Sequence, residues 1–170
     1  MTKFGIGQGV PRWEDPRLLR GGGRYSDDLN RDGQVYGHVL RSPYANARIV
    51  SIDTAAAAAA PGVLGVWTGE DYAASGLGNI PCAVPRQKAD GSPMYLPPNA
   101  ALRKDAVKMV GDPVCWIVAE TAKQAQDASE MILVDYAEMK PITSTAHALD
   151  ADAGKVWDEA PDNVCFVYEL

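Results

Sequence analysis

With 170 residues, 46% hydrophobic and 22% charged, the chain has the length of one moderate domain and the composition of a folded soluble protein. That excludes wholesale disorder and leaves little room for separate catalytic and cofactor domains. A formal net charge of −6 argues against a nucleic-acid or anionic-membrane partner, because phosphate binding depends on clustered Lys and Arg.

The charge is unevenly spread. Residues 1–48 carry a net +3 and the remainder −9, which fits a basic arm lying across an acidic body or an ordinary solvated face of mixed charge. The first 34 residues are rich in Gly, Arg and Asp without a sustained period of 2 or 3.6, so they read as an extended arm with turns, most flexible at Gly21-Gly22-Gly23.

The ordered body is expected to begin with a strand over Val35 to Arg41, broken by Ser42-Pro43, and a second strand over Ala47 to Ile52. Asp53 can then cap a short alanine helix, Ala55 to Ala60, ended by Pro61-Gly62. Val63 to Trp67 returns as a strand, and Thr68-Gly-Glu-Asp-Tyr72 reads as a cap entering another short helix. Residues 76–101, with recurring Gly and Pro around Met94, Tyr95 and Leu96, form a loop longer than the roughly 12 to 15 residues usual for a mere connection.

The runs Ala106 to Val110 and Val114 to Ala119, separated by Gly111-Asp112-Pro113, fit a hairpin. Thr121 with Gln124 has capping-box spacing, and Ala122, Ala125, Ala128, Ser129 and Ile132 give the following helix a small-residue stripe for close packing on a sheet. A strand over Ile132 to Tyr136 and a short helix over Ser144 to Leu149 follow, and the alternation from Val164 to Leu170 predicts a strand still running where the sequence stops. We therefore expect more polypeptide in the biological context. The sum is an α+β fold, a mixed sheet with short helices packed on it.

Chemistry-bearing patterns are sparse. Gly5-Ile-Gly7-Gln-Gly9 has its third glycine one position early and no strand before it, so a dinucleotide site is not expected. Adjacent carboxylates such as Asp27-Asp28 and Glu70-Asp71 point apart on a loop or strand, and His38 and His147 stand alone, without a second ligand at metal spacing. Cys82, Cys115 and Cys165 form no C-x-x-C pair, and the apolar contexts of Cys115 and Cys165 predict buried thiols in a reduced, cytoplasmic protein. The start lacks the apolar stretch of an export signal, and no run is long enough to cross a membrane.

Five motifs in order then carry a resemblance. Arg12-Trp-Glu-Asp-Pro-Arg-Leu-Leu-Arg-Gly-Gly-Gly-Arg-Tyr-Ser-Asp-Asp28, Arg41-Ser-Pro-Tyr-Ala-Asn-Ala-Arg-Ile49 with Ser51-Ile-Asp-Thr54, Pro61-Gly-Val63 with Leu64 to Gly69, Val110-Gly-Asp-Pro-Val114 with Val118-Ala-Glu-Thr121, and Val134-Asp-Tyr136 together resemble the molybdopterin-binding large subunit of the xanthine dehydrogenase, aldehyde oxidase and aerobic carbon monoxide dehydrogenase family. The resemblance implies an N-terminal α/β hammerhead domain at residues 35–160, preceded by the arm 1–34 and followed by residues 161–170 leading toward molybdopterin-binding domains. It implies oxidative hydroxylation with water-derived oxygen, or CO oxidation, by the whole enzyme. Molybdopterin-molybdenum would sit in the later domains, with 2Fe-2S clusters and FAD on partner domains or subunits, none bound by this chain alone.

No catalytic, cofactor-binding or metal residue is carried over, and the isolated chain is expected to be inactive. The loop before Val110 lines the substrate funnel in some members, which points to Tyr95 and Leu96; a surface loop ordered only by other domains is the equal alternative. Trp13, Ser26 and Tyr136-Ala-Glu-Met-Lys-Pro141 depart from the usual pattern and leave the subfamily open. The competing reading is a freestanding, non-catalytic binding module that keeps the hammerhead fold.

Overall fold

The computed structural model describes Gly7, Gly9 and residues 12–167, and it divides the chain into the units Met1–Gln34 and Val35–Leu170. Within the first unit, helix α1 spans Asp15–Leu18, where Pro16 in the opening turn supplies a preset φ without sacrificing a hydrogen bond the helix needs. Glu14 pairs with Arg17 across that turn. A 3₁₀ turn at Ser26–Asp28 is closed by the Asp28 carboxylate, which accepts from Tyr25 N at 2.8 Å. The expected extended arm with turns contains two short turns of helix. None of its described residues is buried. Of the early glycine motif, Gly5, Ile6 and Gln8 lie outside the described residues.

The second unit is built on two antiparallel sheets. In the first, β1 (Tyr36–Arg41), β5 (Pro113–Ala119) and β3 (Val63–Thr68) lie in the order β1-β5-β3. Alternation decides which residues face inward: Cys115, Ile117 and Ala119 of the central strand are fully buried, while Trp116 between them is half-exposed. The register sets Leu40 opposite Cys115 and His38 opposite Ile117, so His38 lies on a strand.

The second sheet has the order β4-β2-β6, with β2 at Ala47–Asp53, β4 at Ala106–Val107 and β6 at Leu133–Glu138. Here the hairpin expected across Gly111-Asp112-Pro113 is corrected. Its first arm shrinks to two residues and pairs with β2, through Ala47 opposite Val107, while its second arm is the centre of the other sheet. The cause is local. Asp112 is buried and its carboxylate takes the amides of Lys108 and Met109 at 2.6 and 3.2 Å, which turns the chain away before a ladder can form. Gly111, at φ +90°, supplies a backbone angle that other residues rarely adopt.

Four-residue helix α2 (Ala55–Ala58) and helix α4 (Ala122–Ser129) fill the space against the sheets with small side chains. Ala57, Ala125 and Ala128 join Ala47, Val107, Cys115, Ile117 and Ala119 in one core cluster. Asp53 accepts from Ala55 N at 2.9 Å, although Thr54 is the formal cap residue. At α4, Thr121 accepts from Gln124 N at 3.2 Å and its hydroxyl donates to Gln124 Oε1 at 2.7 Å, a variant of the expected box. Ala122 is exposed, so the buried stripe starts at Ala125. Helix α3 (Gly69–Ala74) begins at the Thr68 cap, where Thr68 and Asp71 satisfy each other in both directions.

After β6 the regular structure stops. The helix expected over Ser144 to Leu149 is a 3₁₀ turn at His147–Leu149 only, and residues 164–167 are irregular, so the described part of the expected final strand is absent. Cys165 is accordingly exposed, which corrects its predicted burial. Without a strand, alternation has no second layer to hide its apolar side.

Candidate functional site

Residues 75–105 cross the surface without a helix or strand, and one isolated bridge between Gln87 and Pro93 is their only ladder-like pairing. What locates this segment is Arg103. Its Nε donates to Asp112 Oδ1 at 3.0 Å and its Nη1 to the Pro98 carbonyl at 3.1 Å, while its backbone N donates to Pro113 O at 2.8 Å. The ion pair is nearly dry, with side-chain exposures of 13% for Arg103 and 2% for Asp112. Asp112 therefore serves three donors at once, and its charge is matched by a guanidinium whose fork geometry also reaches the loop.

The same turn is tied to the end of β1. Gly111 N donates to Ser42 O at 2.8 Å, Ser42 N to Asp112 O at 2.9 Å, and Arg41 Nη1 to Gly111 O at 2.8 Å. Tyr44 follows and stacks at a tilt on Tyr136, with ring centroids 5.0 Å apart. The Tyr136 hydroxyl is held above its ordinary pKa chiefly by burial, a push that its hydrogen bond with Ser42 partly opposes. These contacts make a rigid platform at the root of the loop.

Farther out, the loop meets the C-terminal segment. Tyr95 N donates to Cys165 O at 3.1 Å, and the Tyr95 ring lines a cleft of about 200 Å³ with Val156, Trp157, Ala160 and Asn163. Loss of solvent around the phenol raises its pKa, and the negative charges of Glu159 and Cys165 add to the rise. Leu96 is exposed and does not line that cleft. Of the two residues singled out from sequence, the structure places one in a cavity and leaves the other on the surface.

Asn163 organises the cleft's far wall, which the sequence had not flagged. Its Nδ2 donates to the carbonyls of Ala148 and Gly154, both at 2.9 Å, and its Oδ1 accepts from Val156 N at 2.9 Å. Lys108 lies over the Trp157 ring at 5.8 Å, joining this wall to the β4 turn. In the sequence Asn163 stands in a turn-rich stretch after Asp162, which does not reveal partners seven, nine and fifteen residues away.

Elsewhere, His147 lines a polar groove of about 210 Å³ with Lys140, Asp150 and Asp152. Among the described residues no group of three or more His, Cys, Asp or Glu could hold a metal ion, and His38 and His147 lie on different elements. Cys115 is buried, and burial, reinforced by the charge of Asp71, pushes its thiol up to about 11. Such a thiol is a packing group at neutral pH and a poor nucleophile.

This arrangement of two antiparallel sheets, short helices and a pinned surface loop is the α/β hammerhead. Residues 20–140 match the family described as aldehyde oxidase and xanthine dehydrogenase, a/b hammerhead domain, and the chain belongs to that family. Its relatives include xanthine dehydrogenase and carbon monoxide dehydrogenase chains, some of them named for molybdenum. The chain is 38% identical over 165 residues to the nicotine 6-hydroxylase large subunit of Paenarthrobacter nicotinovorans, covering 96% of this chain and 19% of that one. It is 31% identical over 160 residues to the carbon monoxide dehydrogenase large chain of Afipia carboxidovorans, covering 94% and 18%. Among solved structures, quinoline 2-oxidoreductase from Pseudomonas putida 86 superposes with a TM-score of 0.79 at 37% identity, covering 96% of this chain and 20% of that one. The Cu,Mo-CO dehydrogenase superposes at 0.71 with 30% identity, covering 97% and 19%. The chain thus spans about a fifth of the length of the relatives it matches.

Proposed function

We propose that the chain is a structural and docking domain of a molybdenum hydroxylase large subunit, and that its loop 76–101 helps shape the access route to a cofactor held by other domains. The observation that carries this is coverage: 96% of the chain aligns with 19% of a hydroxylase large subunit, the footprint of one domain within a larger machine. In this reading residues 1–34 are an arm, 35–160 the hammerhead body, and 161–170 the connection toward molybdopterin-binding domains. Iron–sulfur and FAD subunits complete the electron path.

Among the described residues no His, Cys, Asp or Glu cluster could ligate a metal ion directly. When bound in its own domains, the molybdenum cofactor supplies the redox chemistry that inserts water-derived oxygen. What this chain's residues do is hold geometry. Arg103 and Asp112 fix the root of the loop, and farther out Tyr95 lines the cleft whose far wall Asn163 fixes. A wall of that kind orients a small aromatic or aldehyde substrate and excludes water without touching the reacting bond.

The test replaces the matching fifth of the nicotine 6-hydroxylase large subunit with these 170 residues and measures assembly and turnover. Retained hydroxylation supports the reading. In the active chimera, Tyr95→Ala should raise KM with kcat little changed, since it removes binding contact and no chemistry. A chimera that assembles and turns over with Tyr95→Ala kinetically silent removes Tyr95 from the access route, and failure to assemble overturns the docking role.

A further inference from the structure

The two faces of the β1-β5-β3 sheet are unlike. The inner face disappears under α4, but the outer face carries two tryptophans in the open, Trp67 at 43% and Trp116 at 48% exposure. They lie opposite one another in the register, with ring centroids 6.3 Å apart and planes tilted by 54°. Each indole lies down on a glycine. A Cβ on Gly37 would come within 2.6 Å of Trp116 Nε1, and one on Gly65 within 2.3 Å of Trp67 Cη2. Glycine weakens a strand interior, and its usual excuse is the close approach of something bulky. Here the two glycines leave room for the tilted indoles to lie close against the strands.

The two indoles line a hollow of about 310 Å³ together with Leu102, Val118, Tyr72 and Leu77. Leu77 is 71% exposed, yet its turn is held in place, because the Tyr72 hydroxyl donates to Gly78 O at 2.5 Å. Asp71 is the one charged residue lining the hollow, and its carboxylate is already engaged by Thr68 N and Oγ1, both at 2.8 Å. The surface is therefore aromatic, apolar and without a free charge at its centre, which is the composition of an interface core and unlike that of an ordinary solvated sheet face.

We propose that this outer face, centred on Trp67 and Trp116, is the seat of the remaining four-fifths of a hydroxylase large subunit, which presents uncharged aliphatic or aromatic side chains to the hollow. The proposal rests on the docking role above and says where that docking occurs. The occupant follows from scale. This chain aligns with about a fifth of the length of its relatives, so a much larger body of polypeptide accompanies the matching domain in those relatives. An apolar partner is required, since a charged one would be desolvated here without a counter-charge.

Oxidative footprinting compares Trp67 and Trp116 in the free 170-residue chain and in the nicotine 6-hydroxylase chimera. Several-fold protection of both indoles in the assembled chimera is expected. A second variant, Trp116→Glu, should weaken assembly about tenfold or more, as loss of a central aromatic anchor does. A chimera that assembles with both indoles as reactive as in the free chain overturns this face while leaving the docking role standing. Normal assembly of the Trp116→Glu chimera does the same. A chimera that does not assemble at all removes the docking role and this seat with it.

Discussion

The inner face of the β1-β5-β3 sheet and the surface segment 75–105 show two different ways of being held. On the inner face, Cys115, Ile117 and Ala119 have no solvent exposure and share one cluster with Ala125 and Ala128. Along the segment, Leu102 is the one buried residue, and position depends on a few polar points: Arg103 Nε on Asp112, Arg103 N on Pro113 O at 2.8 Å, and Tyr95 N on Cys165 O at 3.1 Å. Area-based packing is distributed, so damage there is felt globally. Point attachment is concentrated, so one deletion frees a whole stretch.

The largest effect is expected on the packed side. Ile117→Ala should cost about 2 to 5 kcal/mol, because the site is fully enclosed and cannot collapse around the lost atoms. Denaturant unfolding checks this, and a loss below about 1 kcal/mol would show the inner face to be as loosely held as the segment.

Next comes the polar anchor. Asp112→Ala strands a nearly buried guanidinium and the amides of Lys108 and Met109, on the order of 3 kcal/mol. Its signature is locality: amide exchange should accelerate through residues 98–112 more than through β5. Exchange rising equally along both would mean that the anchor supports the sheet and is no local pin. Asp112→Asn should retain part of the turn but lose the charge match to Arg103.

The smallest effect concerns pH. Burial raises the Cys115 pKa to about 11 from an ordinary 9.0, so the folded chain keeps its thiol proton where the unfolded chain releases it. The unfolded state then binds fewer protons, and stability falls as pH rises from about 9, levelling near 11, with an amplitude on the order of 2 kcal/mol. Cys115→Ala should flatten that window. Cys82 and Cys165, both exposed, should react quickly with a thiol reagent near about pH 8 while Cys115 stays silent; three fast thiols would show the inner face to be open.

Strand positions and helix starts were largely legible from sequence, because they depend on neighbours a few residues apart. Thr68 and Thr121 do cap α3 and α4, and the alternation in β5 separates Ile117 from Trp116 as period 2 requires. The family was legible too, through motifs such as Val110-Gly-Asp-Pro-Val114. Partnership was not. The same motif suggested a hairpin, whereas Asp112 folds back on the amides before it and sends its flanking segments to different sheets. The Tyr95 cleft could not be foreseen, because its opposite wall is set by Asn163 bonding to Ala148 and Gly154.

The amino-acid order alone therefore determined which segments extend, which coil, and which family they compose. Those properties arise from backbone preferences and side-chain periodicity within about ten residues. Tertiary structure decided that the strands divide into two sheets, that Arg103 anchors the loop, and that Trp67 and Trp116 settle on Gly65 and Gly37 to leave an aromatic face in the open. The division into sheets and the approach of Trp116 to Gly37 depend on groups far apart in the chain competing for the same hydrogen bonds and the same space, and that competition is settled only when the whole core closes.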